Sequence, residues 1–255
     1  MIYAPPAEYS LNDLKNINQI VQQTGQTESL TVRQEAIQEA ATVLGAQAGL
    51  RSISDRIDKF LESRVAVLDT IYNFNQLLLP HHILPPVISA NYNTSTLAEN
   101  SLSLSINGEA YHIVKPAKFV VTPPTWRDYL FMSYAKPRLP DPGLLPKNNE
   151  EQQIWDKAIE SAWQDGVKQG MSIFQTNMHY LTRDFQGMLL FKQMIIKGMI
   201  TMPQVSIKQY GVTGDNSNLV IDNKLWKLNQ NAQFNLNATQ WQPVLADEVA
   251  NGTGK

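Results

Sequence analysis

NEEQQIWDKAIESAWQDGVKQGMSIFQTNMHYLTRDF, residues 149–185, carries apolar side chains at Trp155, Ile159, Ala162, Trp163, Val167, Met171, Phe174, Met178 and Leu181. Steps of three and four residues lay these on one stripe of an α-helix. Asn149 suits the cap position, and Glu150 and Glu151 suit the positive end of the helix dipole. At 1.5 Å per residue this helix spans roughly 50 Å and frames the fold. A further helical run follows from Met188 to Ile200.

Upstream, Thr31 to about Leu79 repeats the helical period. Its apolar set is Val32, Ile37, Ala41, Val43, Leu44 and Ala48, then Ile53, Ile57, Phe60 and Leu61, then Val65, Leu68, Ile71 and Phe74. That predicts two or three helices, ended by Pro80 and Pro85-Pro86. Gly45-x-x-x-Gly49 lies in this block and Gly166-x-x-x-Gly170 in the long helix. A glycine inside a helix costs about 1 kcal/mol against alanine, so two per helix point to close backbone approach between these small-residue faces.

The period changes to two between residues 100 and 122, where Leu102, Leu104 and Ile106 alternate with serines before Asn107-Gly108 and a second run follows from Ala110 to Val114. Asn-Gly predicts a type I′ hairpin there. Phe119–Thr122 adds a short strand stopped by Pro123-Pro124, and Trp126–Met132 reads as a short helix before a proline-rich loop. Downstream, Val205–Val212 reads as a strand, followed by a hairpin of Leu219–Ile221 and Leu225–Leu228 turning at Asp222-Asn223, then Phe234 and Leu236. The expected architecture is α+β, with N-terminal helices and a long central helix packed against a small, mostly antiparallel sheet. Residues 1–30 are expected to be a mobile arm, 31–245 a single α+β domain and 246–255 a polar tail.

Of the 255 residues 43% are hydrophobic, enough for a core without a metal or disulfide. Only 17% are charged, and the net charge of −2 leaves no cationic stripe for direct nucleic-acid binding. With no cysteine, thiol nucleophiles, Cys-ligated zinc and iron–sulfur clusters are excluded. The apolar run Met188–Met202 is interrupted by Lys192, Gln193, Lys197 and Gly198, and no stretch reaches a membrane-span length.

His81, His82, His112 and His179 stand in no zinc spacing and follow no nucleophile elbow. Gly211-Val-Thr-Gly-Asp-Asn-Ser-Asn lacks the Lys-Ser/Thr of a phosphate loop, and Asp215 has no glutamate placed to close a calcium loop. Met188, Met194, Met199 and Met202, with the five tryptophans, read as packing residues. The expectation is a non-enzyme with no cofactor, metal or catalytic residue.

Seven segments, in order, resemble the DotC family. They are Leu44-Gly-Ala-Gln-Ala-Gly-Leu50, Leu68-Asp-Thr-Ile-Tyr-Asn-Phe-Asn75, Ile83-Leu-Pro-Pro-Val87, Thr122-Pro-Pro-Thr-Trp-Arg-Asp-Tyr-Leu130, Tyr134-Ala-Lys-Pro137 through Leu144-Leu-Pro-Lys147 to Trp155, Asp184-Phe-Gln-Gly-Met188, and Tyr210-Gly-Val-Thr-Gly-Asp215. The resemblance implies an outer-membrane lipoprotein on the periplasmic face, part of the core complex of type IVB secretion and IncI-type conjugation systems. It also implies DotD-like and DotH-like partners in a ring assembly, with the chain helping the DotH-like channel protein assemble and localise. The cysteine that family members acylate is absent, so the resemblance implies a lipidated residue outside this chain. A transient chaperone or pilot for the channel protein, and a periplasmic hydrolase, are the alternatives.

Pro123–Tyr134 is the expected assembly surface. Two prolines stiffen the entry to the short helix, and Trp126 and Arg127 are adjacent residues of the types enriched at binding hot spots. Tyr129, Phe131 and Tyr134 extend the aromatic surface. The competing reading has Trp126 and Tyr129 seal this helix onto the sheet.

Overall fold

The computed structural model describes Lys15 and residues 30–97, 104–215 and 217–242. Apart from Lys15 and Leu30, the expected N-terminal arm and the tail over 246–255 lie outside the described residues. The element order is helix α1 (Leu30–Glu62), helix α2 (Val65–Ile71), a 3-10 turn (Phe74–Leu77), strands β1 (Ile83–Leu84), β2 (Val87–Leu97), β3 (Leu104–Lys115) and β4 (Lys118–Phe119). Helix α3 (Trp126–Leu130), helix α4 (Asn149–Ile196) and strands β5 (Gln204–Gly214) and β6 (Leu219–Gln230) follow. The class is α+β, with three two-stranded antiparallel sheets ordered β1-β4, β2-β3 and β5-β6.

The chain gathers into two compact units, residues 1–71 with 126–180 and residues 72–125 with 181–255. In the first, α1 and α4 cross on their glycines. A methyl at Gly45 would stand 2.7 Å from the Ile159 carbonyl oxygen, one at Gly49 would overlap the carbonyl of Trp163, and one at Gly166 that of Ala46. The two small-residue faces therefore meet, as their spacing predicts. Ile37, Ala41, Leu44, Ala48, Leu145, Trp155 and Ile159 form the core beside the crossing. A part-buried ion pair closes its end: Arg33 Nε donates to Glu151 Oε1 at 2.8 Å, while Arg33 also donates to the carbonyls of Gly143 and Leu145. Asn148, one residue earlier than expected, caps α4 by accepting from Glu151 N–H at 2.8 Å, and Glu151 Oε2 accepts from Lys147 N–H.

The expected stripe thins toward the middle of α4. Trp155, Ile159, Ala162 and Leu181 are buried, whereas Met171 is 40% exposed, and no residue from Met171 to Tyr180 is buried. On α1, Val32, Val43 and Phe60 are likewise exposed, against expectation. The burial of α1 rotates around the helix toward the glycine face, so the apolar residues left off that face stay in solvent.

In the second unit, Ile88, Phe191, Met194, Ile200 and Ala232 form the core, with Tyr111, Ile113 and Phe234 packed on it. The ring of Phe185 meets Tyr72 and Phe74 edge-on at 5.3 and 5.2 Å. Helix α4 does not break after Phe185, against the expectation of two successive helices, but runs unbroken for 48 residues. Gly187 stays helical because the chain comes so close: a Cβ there would lie 2.7 Å from the Ile88 carbonyl oxygen.

Both expected hairpin turns are corrected. Asn107-Gly108 lies inside β3, with Asn107 opposite Thr94 of β2, a strand that the sequence pattern does not announce. Asp222-Asn223 lies inside β6, where Asp222, with a positive φ of 60°, is the extra residue at a register shift next to the pair of Asn223 with Gly211, which has φ 67°. The left-handed propensity of Asp222 is real but serves a bulge, and the turn falls at Asp215. There the Asp215 carboxylate accepts from the N–H groups of Ser217 and Asn218, which with the Ser217 hydroxyl pull its pKa down to about 2.

Candidate interaction surface

Helix α3 follows Pro123-Pro124 and has one and a half turns, too short to hold itself. Its fixed points are Trp126, 1% exposed, and Leu130, fully buried. The Trp126 indole N–H donates to Asp69 Oδ1 of α2 at 2.7 Å. Arg127 reaches the same carboxylate as a fork, Nη1 to Oδ1 at 2.7 Å and Nη2 to Oδ2 at 3.2 Å. Its guanidinium also lies over the Trp126 ring, 4.4 Å from the centroid. The hydrogen bond from Arg127, then that from Trp126, holds the Asp69 carboxyl below the usual aspartate range. Paired to Asp69 below, Arg127 presents a partly exposed, oriented guanidinium rather than a freely rotating one.

The chain leaves α3 without regular secondary structure. Phe131, 37% exposed, packs on Trp126 at 5.5 Å between ring centres. Ser54 donates to the Met132 carbonyl at 2.6 Å, and Arg51 donates to the Tyr134 carbonyl. Between this segment and α1 lies an open cavity of about 330 Å³, lined by Arg51, Asp55, Asp58, Glu62, Phe131, Met132 and Ser133. Arg51 is paired to Asp55 at 2.8 Å. Asp58 Oδ1 is buried without a hydrogen-bond partner. Burial above all, with repulsion from Asp55 and Glu62, pushes the Asp58 carboxyl up, against the Met132 backbone N–H and Arg51.

Of the four residues singled out from sequence, Trp126 is a buried support whose ring no partner can reach. Arg127, Tyr129 and Tyr134 are all part-exposed. Trp126 does seal α3 in place, but against α2 with Asp69 as its polar anchor, not onto the sheet as the competing reading had it. Asp69 was missed, although it is the single charged residue of α2 and its spacing from Trp126 gives no local signal. The acidic row Asp55, Asp58 and Glu62 was also missed, and its i, i+3, i+7 spacing was legible.

The histidines do not converge. His81 and His82 form a turn with φ of 67° and 56°, the His81 ring standing edge-on to Trp226 at 4.5 Å. His112 sits on β3 opposite Ser89, and His179 is exposed on α4. Among the described residues no cluster of three or more His, Asp and Glu side chains is arranged to hold a metal, and no helix is long and apolar enough to cross a membrane.

No curated protein matches the chain. Residues 31–243, and with them both units described above, match a protein-family model, and on that match the chain belongs to the TraI family of the type IV secretory system, conjugal DNA-protein transfer.

Proposed function

We propose that this protein is a DotC-like structural component of the outer-membrane core complex of a type IVB secretion or conjugation system, acting through contacts and not through catalysis. It stands on the periplasmic face of the outer membrane, held by a lipidated residue that the family resemblance implies. There it works with DotD-like and DotH-like proteins in a ring assembly and helps the DotH-like channel protein assemble and localise. The observation that carries the reading is the family match over residues 31–243, which makes the chain a component of a conjugal type IV system.

The seven DotC-like segments support the finer identity, because several fall on structural pivots. Leu44–Leu50 is the helix crossing, Leu68–Asn75 supplies Asp69 and Phe74, Thr122–Leu130 supplies Trp126 and Arg127, and Asp184–Met188 supplies buried Asp184 and the close approach at Gly187. A DotC-like chain needs such pivots to hold partner-facing residues in place within each unit.

The test is deletion of the gene with complementation by the full-length precursor. The reading expects the DotH-like protein to leave the outer-membrane fraction on deletion and return on complementation. It also expects the chain in stoichiometric amount in purified core complexes, and labelled palmitate on the precursor. A chain absent from the finished complex, with the DotH-like protein still correctly placed, refutes the structural role.

A further inference from the structure

Lys15, far ahead of α1 in the sequence, is bonded to α4 at two points. Its backbone carbonyl accepts from Gln152 Nε2 at 2.8 Å, and its Nζ donates to Glu160 Oε2 at 2.9 Å. The side chain is 27% exposed, low for a residue type that is seldom covered without a partner. The ion pair alone would carry little weight, since a lysine reaches a surface carboxylate from many backbone positions. The bond from Gln152 is different, because it fixes the main chain of residue 15 on α4. Lys15 itself has helical backbone.

The two bonds also give a direction. In a helix the carbonyl points toward the C-terminal end and the side chain leans toward the N-terminal end. Gln152 and Glu160 lie eight residues apart on one face of α4, roughly 12 Å along its axis. The carbonyl of Lys15 is held at the Gln152 end and its ammonium at the Glu160 end, so the chain at Lys15 runs antiparallel to α4. Helix α1 runs parallel to α4, because Gly45 meets Ile159, Gly49 meets Trp163 and Gly170 meets Ile53. It also begins close to Gln152, since Arg33 is bonded to Glu151. A chain passing Lys15 in the antiparallel sense therefore arrives where α1 starts. Residues 16–29 include Gln22-Gln-Thr-Gly-Gln-Thr27, a polar stretch with a central glycine of the kind that reverses a chain.

We propose that residues 11–21 form a helical strap docked antiparallel on the Gln152–Asp156–Glu160 face of α4, with Lys15 as its anchor. The occupant is this chain's own segment. Leu11, Leu14, Ile17 and Val21 follow one another at steps of three, three and four, which gives the strap one apolar stripe with Lys15 beside it. Charge fits as well, because Lys15 meets a face that carries Asp156 and Glu160, and Gln152 donates to Asp156 while it holds the Lys15 carbonyl. A helix of this length is marginal by itself in water, so its order comes from the docking. The docked strap closes this face of α4 to other proteins.

The strap does not rest on the DotC-like reading, and its failure leaves that reading standing. The chain has no cysteine, so spin labels on introduced pairs report single distances. Labels on Asn12→Cys with Gln164→Cys should stand roughly 10 Å closer than labels on Gln19→Cys with Gln164→Cys, the length of helix between positions 12 and 19. Hydrogen exchange at amides 11–21 should be slowed in the isolated chain. Lys15→Glu sets a carboxylate against Asp156 and Glu160 and should speed that exchange by about fivefold or more. Adding Glu160→Lys to Lys15→Glu should restore protection, and Lys168→Glu, at an exposed pair further along α4, should leave it unchanged. Broad label distances, the reverse order of the two distances, or exchange at free-peptide rates overturns the proposal. Protection of 11–21 only on adding another component of the secretion system also overturns it, and gives the segment to that component.

Discussion

Replacing Gly166 with alanine at the crossing of α1 and α4 should destabilise the protein, although the same change on a solvent-facing helix would stabilise it. The propensity gain is about 1 kcal/mol. Against it, the new methyl overlaps the backbone carbonyl of Ala46 and also meets the Leu50 amide nitrogen, at 2.9 Å. Neither neighbour is the tip of a flexible side chain, so no rotamer change relieves the contact. The helices must separate, and the packing of Leu44, Ala48, Trp155 and Ile159 beside the crossing loosens with them. Overpacking of this kind costs about 3 kcal/mol, so the net loss is about 2 kcal/mol. For a chain of this size that lowers the melting temperature by roughly 4–8 °C. Gly45→Ala should cost less, because the carbonyl of Ile159 stands at 2.7 Å, and Gly108→Ala, with nothing within 4 Å, serves as the control that is neutral or slightly stabilising. Thermal unfolding followed by circular dichroism ranks the three. If Gly166→Ala melts at or above the parent temperature, the two glycine faces are not in contact and the crossing is misassigned.

Arg127→Ala should leave the melting temperature within a few degrees of the parent, since Asp69 keeps the Trp126 indole, while the DotH-like protein fails to reach the outer membrane; normal fractionation and transfer would refute the surface assignment. Trp126→Ala should instead unfold its surroundings at a cost of about 3–5 kcal/mol, read as a large drop in denaturant midpoint. Burial works to raise the Glu151 carboxyl, but the hydrogen bonds from Arg33 and Lys147 prevail and hold it below its ordinary value of 4.5. Its folded form being the more acidic, Glu151 contributes stability above that value and loses it as the pH falls through the lowered one. Glu151→Gln should therefore flatten the acid limb of the stability profile, and an unchanged limb would sink the assignment. Asp58 has the opposite sign, its carboxyl raised in the fold, so its charge costs stability at neutral pH. Asp58→Asn should raise the melting temperature at pH 7, with the benefit fading as the pH falls toward 3.8.

The helical blocks were legible because their signal is local. Spacings of three and four fixed which faces of α1 and α4 are apolar, and the paired glycines announced a close crossing by their spacing alone. The strand pairings were not legible in the same way. Asn107-Gly108 and Asp222-Asn223 carry real turn chemistry, yet their partners lie elsewhere. Asn107 pairs with Thr94 on β2, and Asp222 is the bulged residue between the Asn223–Gly211 and Ile221–Val212 pairs. A dipeptide propensity worth a fraction of a kcal/mol yields to a ladder of cross-strand bonds along 11 or 12 residues.

The candidate surface divides along the same line. Pro123-Pro124 followed by Trp126 and Arg127 is visible in the sequence, and so is the absence of cysteine and of any metal or nucleophile spacing. Whether Trp126 faces a partner or the interior depends on Asp69, 57 residues away, whose carboxylate binds both the indole and the guanidinium. The sequence by itself determined the helices, their small-residue crossing, the α+β class and the resemblance to a secretion-system family, since all of these rest on periodicity and residue type along the chain. Only the tertiary structure decided which apolar residues stay in solvent, which strands pair, and that Trp126 is a support while Arg127 is presented. Those outcomes depend on contacts between distant segments, and no local propensity encodes which distant group arrives.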